Sequence, residues 1–347
     1  MWIDSDFQIV IWLNIFFTIS VQGREPILFT KEFKEHGIGG TIFTRSRNLE
    51  KLLDFSKLYL KFEGGNPTGT MKDRASYATL KHANEKGFKT IAVASCGNFG
   101  ASVVHLSAIF GITPHVYIPE SYHTPRIEEM ERQGGVIHRA PGTYEELVEQ
   151  SGREAGEQGW YNGNPGTPEN SEVSLRAYET IAYEIVDRLE YAPDAVSVSV
   201  SNGTCFSGIH QGFKMLRRRG ETDKVPVMVA ASTEGGNPVV TSFQEGHRKI
   251  RDLDPKEIVE TECNEPIVNW RSLDGQRALD ALWDSGGYAA LISDEVMVAF
   301  SRLLEKEEGL SVLPASAASL AALAEYAKTR ATPKMSSFVA VLTGRRY

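Results

Sequence analysis

Eleven consecutive residues, Gly64-Gly65-Asn66-Pro67-Thr68-Gly69-Thr70-Met71-Lys72-Asp73-Arg74, constrain this chain more tightly than any other stretch. Gly, Asn and Pro in the first half supply tight loop geometry. Asp73, Arg74, Ala75, Tyr77, Ala78, Leu80 and Lys81 then follow the spacing of an amphipathic helix. Lys72 is therefore predicted in a first helical turn, beside unpaired N–H groups and the positive end of the helix dipole. Positive potential and partial burial both favour the neutral amine, the form that attacks carbonyls. The competing reading is a solvated surface lysine, which most lysines are.

Around this stretch, apolar runs alternate with helical periodicity. Strands are predicted at 58–62, 90–95, 115–118, 136–138, 195–200, 227–231 and 338–342. Helices are predicted at 126–133, 143–157, 174–189, 294–308 and 315–328, with two more opening near Gly100 and Thr204. The expected fold class is α/β in two domains, each an open, mostly parallel sheet with helices on both faces. In such sheets sites form at the carboxyl ends of strands. Three turns occupy such ends, after Ser95, Val200 and Leu342. The loop 160–170, rich in Gly, Asn and Pro, is long enough to be functional or to mark a domain boundary. Residues 235–285 read as irregular and charged. The apolar stretch 7–21 is too short for a comfortable membrane span, and Asp4 and Asp6 precede it where a signal peptide carries Lys or Arg. It reads as a buried element or a subunit interface.

Charge and cysteine usage narrow the function. A net charge of -8 argues against nucleic acid as the main partner. Lys214, Arg217, Arg218 and Arg219 form one local cluster, read as the solvated C-terminal end of a helix. Cys96, Cys205 and Cys263 are widely spaced, without a CxxC pair, so neither a disulfide framework nor a zinc ribbon is indicated. The eight histidines form no HExxH pattern, and no metal site is expected. A reducing, cytoplasmic setting fits this composition.

The strand-end turns carry the chemistry. Ser201-Asn202-Gly203-Thr204-Cys205 follows a strand and opens a helix, so backbone N–H groups and the helix dipole make a phosphate cradle. It matches neither a Walker A loop nor GxGxxG, and a plain strand-to-helix turn is the alternative. Ser95-Cys96-Gly97-Asn98-Phe99-Gly100 repeats the pattern and suits a carboxylate, with a side-chain amide beside it. A dinucleotide site is its rival, although the first glycine of that fingerprint is missing. A cofactor bearing an aldehyde and a phosphate would use the lysine and the first cradle, and an amino acid would use the second. Pyridoxal phosphate joins them.

Residues 66–74 closely resemble the lysine motif of threonine synthases and related fold type II pyridoxal-phosphate enzymes. Ser95-Cys96-Gly97-Asn98 resembles their second motif and Ser201-Asn202-Gly203-Thr204 their phosphate loop. Pro314-Ala315-Ser316-Ala317-Ala318-Ser319 and Leu342-Thr343-Gly344 are similar to their late segment and closing strand. The resemblance implies that Lys72 carries the cofactor and shuttles protons at the substrate, and that Asn98 bonds the cofactor's phenolic oxygen. It also implies that Asn202, Gly203, Thr204 and Cys205 hold the phosphate, and that Thr343 faces the pyridine nitrogen. Ser95, Cys96 and Gly97 would bind the substrate carboxylate, with Ser171, Arg176 and Lys214 as further substrate-side candidates. A smaller domain over 61–189 and a larger one over 1–60 plus 190–347 are expected, in a homodimer. The implied reaction is that of a lyase, O-phosphohomoserine plus water giving threonine and phosphate. Serine or threonine dehydration, diaminopropionate deamination and β-replacement such as cysteine or cysteate synthesis are the alternatives on this scaffold. A nicotinamide-dependent oxidoreductase and a non-catalytic cofactor binder are rivals from other classes. Two departures bear on substrate: Leu313 stands where threonine synthases carry a glutamate, and 162–171 differs from their phosphate-gripping stretch.

Overall fold

The computed structural model describes residues 31–95, 97–329 and 336–346. The apolar stretch 7–21 and Cys96 lie outside them.

Strands without a polar face need cover on both sides, and two sheets provide it. The first runs in the order β1 (Ile42–Arg45), β2 (Lys57–Phe62), β10 (Ser337–Leu342), β7 (Ala195–Ser199), β8 (Val227–Thr233), β9 (Tyr288–Ile292). Only the edge pairing of β1 with β2 is antiparallel; the other pairs are parallel. The second runs β5 (Val136–Ala140), β4 (Thr113–Pro119), β3 (Thr90–Ala94), β6 (Tyr161–Asn162), all parallel. The α/β class and the parallel sheets are as the alternation predicts. The helices between the strands begin with α1 (Arg47–Leu53), α2 (Lys72–Glu85), α3 (Asn98–Phe110), α4 (Arg126–Arg132), α5 (Tyr144–Gln158) and α6 (Pro168–Leu189). They continue with α7 (Thr204–Arg218), α8 (Pro238–Gln244), α9 (Gly275–Asp284), α10 (Asp294–Glu308) and α11 (Pro314–Thr329).

Period-two alternation sorts the buried side chains. From β10, Phe338, Ala340 and Leu342 enter one core with α11, while Val339 and Val341 enter the other with α6 and α7. Register then aligns strand ends. Leu342 pairs with Phe62, and Val341 pairs with Val198, so three chain exits meet at one edge of the sheet.

Helices α6 and α7 approach closely through a glycine seam. A Cβ on Gly208 would sit 2.6 Å from the Leu175 carbonyl oxygen, and one on Gly212 would sit 2.7 Å from that of Glu179. Only glycine permits this contact, which sets where α7 points.

A buried ionic cluster holds the other exit. Phe62 leads into Glu63, whose carboxylate takes two hydrogen bonds from Arg74, at 2.7 and 2.9 Å. The same guanidinium bonds both carboxylate oxygens of Glu184 on α6, at 2.7 and 2.9 Å, and the Thr180 hydroxyl at 2.8 Å. Lys61 lies 2.7 Å from Glu184 and 3.2 Å from Glu63. Lys61, Glu63 and Arg74 are fully buried, so two cations balance two anions with little water to help. The paired cations hold Glu63 well below the ordinary carboxylate range. Its contribution to stability is therefore present at neutral pH and is lost only in strong acid.

Several elements differ from expectation. Helix α6 begins at Pro168, six residues before the predicted 174, because Pro takes the first helical position after Thr167. The segment 235–285 contains α8 and α9, and β1, β6 and β9 fall where no strand is predicted. Helix α9 is strongly amphipathic, but charged loops flank it and mask its period. Among the described residues, no helix is long and apolar enough to cross a membrane.

Glu63→Ala leaves Lys61 and Arg74 sharing Glu184 alone. Urea unfolding is expected to show a loss of about 3–5 kcal/mol, the range for breaking a buried pair. Lys81→Ala, which breaks the surface pair to Glu32, is expected to cost under about 1 kcal/mol. Equal losses would mean that burial adds nothing to the first cluster.

Candidate active site

Three helix N-termini, those of α2, α3 and α7, converge on one cavity of about 420 Å³. At none does the capping residue itself, Met71, Gly97 or Gly203, cap with its side chain. Thr70 takes the Lys72 N–H of α2 and Ser95 the Gly100 N–H of α3, while the α7 end has no side-chain acceptor among the described residues. First-turn N–H groups have no partner inside their own helix, so these ends favour anions.

Lys72 opens α2 on the cavity wall. Its loop is pinned from two sides. The closing strand contributes a Met71 N–H bond to the Thr343 carbonyl at 2.9 Å and an Arg345 N–H bond to the Gly69 carbonyl at 2.9 Å. Gly69 needs its left-handed φ of +83° to make this turn. On the other side, the Asp73 carboxylate accepts from the Thr68 N–H at 2.8 Å, the Thr68 hydroxyl at 2.6 Å and the Ser102 hydroxyl of α3 at 2.6 Å. The lysine amine itself stands 5.9 Å from the centre of the Phe99 ring. Burial holds it below the ordinary lysine value, against the opposing pull of Cys205, Glu265 and Asp274. An amine whose charged form is disfavoured, set on a cavity wall, is placed to act as a nucleophile.

The second wall is the turn into α3. The Ser95 hydroxyl oxygen accepts from the N–H groups of Gly97 at 3.2 Å and Gly100 at 2.8 Å. A Cβ on Gly100 would meet Met130 Sδ at 2.9 Å and Val116 at 3.0 Å, so glycine is required for α3 to start here. Ser95, Gly97 and Asn98 all line the cavity.

The third wall is the turn into α7. Gly203 has φ +91°, and its absent Cβ would lie 2.7 Å from that of Ala278. Asn202 accepts the Leu273 N–H at 3.0 Å, which ties the turn to the start of α9. Asp274, the residue preceding α9, accepts the Thr204 hydroxyl at 2.6 Å and the Ser171 hydroxyl at 2.5 Å. Asn202, Gly203, Thr204 and Cys205 line the cavity, and burial raises the Cys205 thiol far above its usual value.

The far wall is acidic. Glu145, Glu260 and Glu265 line it, and Lys72 is the one cation among the described lining residues. Burial raises the carboxyls of Glu145 and Glu260, and pushes Glu265 up to about 7 against a hydrogen bond from Tyr122.

The other sequence candidates stand as follows. Thr343 is behind the wall, its hydroxyl 2.7 Å from that of Ser316. Ser171 touches the site only through Asp274. Arg176 is half exposed and 3.7 Å from Glu172. Asn170, Ser174 and Tyr178 are the α6 residues facing the cavity, at a spacing of four, which turns Arg176 to the opposite face. Lys214 pairs with Asp284 in a separate groove. Leu313 packs on Gly344, with Cδ1 3.0 Å from a Cβ placed there. Glu265, Asp274 and Arg126 carry parts of the site that no local sequence pattern marks.

Comparison with known proteins gives the family and the fold. The family described as "Pyridoxal-phosphate dependent enzyme" matches residues 34–344. The threonine synthase of Methanocaldococcus jannaschii is 33% identical over 308 residues, covering 88% of this chain and 74% of that protein. That of Methanosarcina acetivorans is 29% identical over 323 residues, covering 92% and 76%. Among solved structures, the processed form of threonine deaminase isoform 2 from Solanum lycopersicum superposes with a TM-score of 0.76 at 17% identity, covering 93% of this chain and 90% of that one. Maize serine racemase gives 0.76 at 18% identity, covering 93% and 94%. At these identities the solved structures share the fold.

Glu265 binds its proton more tightly in the folded protein than its ordinary value of 4.5 allows, so stability falls as pH rises from there through about 7. Glu265→Gln removes that penalty. Without cofactor, it is expected to stabilise the protein by about 2–3 kcal/mol at about pH 8 and to change little at about pH 4. Thermal unfolding at the two pH values checks this, and an equal effect at both would contradict it.

Proposed function

This chain belongs to the pyridoxal-phosphate dependent enzyme family, and from that premise we propose that it is a lyase acting on a small, unphosphorylated amino acid. The residues present fit the cofactor. An uncapped α7 terminus offers the N–H groups of Thr204, Cys205 and Phe206 to a phosphate, and Gly203 keeps the approach open. Asn202 shapes this turn through its bond to Leu273. Lys72 supplies the amine that holds the aldehyde, and Asn98 supplies the amide for the phenolic oxygen. The Thr343 carbonyl fixes Met71, and its hydroxyl, now paired with Ser316, is the group proposed for the pyridine nitrogen. Bound there, pyridoxal phosphate supplies an electron sink for the substrate's α-carbon. Lys72 would also be the base placed to take the substrate's α-proton. Ser95, Gly97 and the α3 terminus receive the substrate carboxylate, a role in which Cys96 is also proposed.

The acidic far wall carries the choice of substrate class. A phosphorylated side chain would meet Glu145, Glu260 and Glu265 with no described lining cation besides Lys72, which the cofactor engages. Carboxyl groups beside a phosphate oppose its binding and offer it no cationic partner. Serine, threonine and 2,3-diaminopropionate carry hydroxyl or ammonium side chains that these carboxyls accept. Threonine synthase activity is the second reading, favoured by the 33% identity to the Methanocaldococcus jannaschii enzyme. The two-domain division over 61–189 and the remainder, a homodimer and a cytoplasmic location belong to the same proposal.

A substrate panel separates the readings. A keto acid and ammonia from serine, threonine or diaminopropionate, without phosphate release from O-phosphohomoserine, is the expected result. Phosphate and threonine from O-phosphohomoserine would overturn the first reading. Gly203→Ala strains a left-handed residue and crowds Ala278. It is expected to weaken cofactor binding at least about tenfold by equilibrium dialysis. Unchanged binding would remove this turn from the phosphate site.

A further inference from the structure

Arg126 opens α4 and is 6% exposed, although no sequence pattern marks it as more than a helix-start residue. Its Nη1 donates to Glu129 at 2.7 Å. Its Nη2 points the other way and donates to the Thr68 carbonyl at 2.7 Å and to the Asn98 side-chain oxygen at 3.3 Å. One nitrogen thus bridges the lysine loop and the first residue of α3. A guanidinium only donates, so the Asn98 atom facing it must be the amide oxygen. Asn98 lines the cavity, and its NH2 is then the end left for a ligand.

We propose that Arg126 is a positioning residue that locks the Asn98 amide with its NH2 toward the cavity, so that Asn98 accepts only a ligand presenting an oxygen acceptor there. The proposal rests on the reading above, in which that ligand oxygen is the phenolic oxygen of pyridoxal phosphate. Without Arg126 the amide can turn over and present its oxygen, which repels a phenolate. The bridge to Thr68 also sets the separation of Asn98 from the Lys72 loop. Asn98 therefore contributes to selectivity for the 3-oxygen only while Arg126 is in place.

The test compares pyridoxal phosphate with its 3-deoxy analogue, which keeps aldehyde and phosphate but lacks the oxygen. Dissociation constants come from quenching of tryptophan fluorescence in wild type, Arg126→Met, Arg126→Lys, Asn98→Ala and the Arg126→Met/Asn98→Ala double variant. Wild type is expected to prefer pyridoxal phosphate. Arg126→Met is expected to lose about tenfold for pyridoxal phosphate, one oriented hydrogen bond's worth, and under about twofold for the analogue. Adding Arg126→Met to Asn98→Ala is expected to cost nothing further. Arg126→Lys, which keeps a donor to the same oxygen, is expected to restore much of the preference and serves as the test if Arg126→Met does not fold. Equal losses for both ligands would overturn the proposal by making Arg126 a general brace of the loop. So would a preference that survives both Arg126 variants. A wild type that binds both ligands alike would overturn the Asn98 assignment itself and the proposal with it, and a wild type that binds neither would refute the cofactor site.

Discussion

The buried guanidinium of Arg74 is the contact on which the remainder of the site depends. It lies in the first turn of the lysine helix, yet it bonds Glu63 at the exit of β2 and Glu184 on α6. Lys61 completes the charge balance. Four charges out of water are costly unless each is matched, so the arrangement tolerates one geometry well and others poorly. That intolerance fixes the lysine helix to the large sheet. Asp73, one residue earlier, fixes the same turn to α3 through Ser102. Lys72 is therefore set by bonds on the residues after it, and its own side chain is left for chemistry.

The electrostatics of the cavity follow from the fold. Parallel strands deliver helices whose positive ends face one way, and three of these ends meet here. Such ends favour anionic groups. The fourth wall is carboxylic, with Glu145, Glu260 and Glu265 drawn up by burial. The cavity is polarised as a whole.

Much of this was legible in the sequence where the code is local. The turn before Lys72, the turn before Thr204 and the turn before Asn98 are each written in glycine, asparagine and small hydroxyl residues within a few positions. The strands with continuous apolar runs were equally clear. What stayed hidden depends on partners far apart. Arg74 and Glu184 are 110 residues apart, and Ser171 and Asp274 are 103 apart. Arg176 is close to the site in sequence, but α6 begins at Pro168, which fixes the helical phase and turns it outward. Glu265 sits in a stretch without regular period, where nothing distinguishes a solvated glutamate from a buried one.

Lys72 is the point where these constraints become chemistry, and borohydride reduction of the cofactor-loaded protein followed by peptide mass mapping tests it most directly. A pyridoxyl group on the peptide carrying Lys72, and on no other lysine, is the expected result. Label on Lys61, label dispersed over surface lysines, or no label would contradict the placement of the reactive amine at the start of α2.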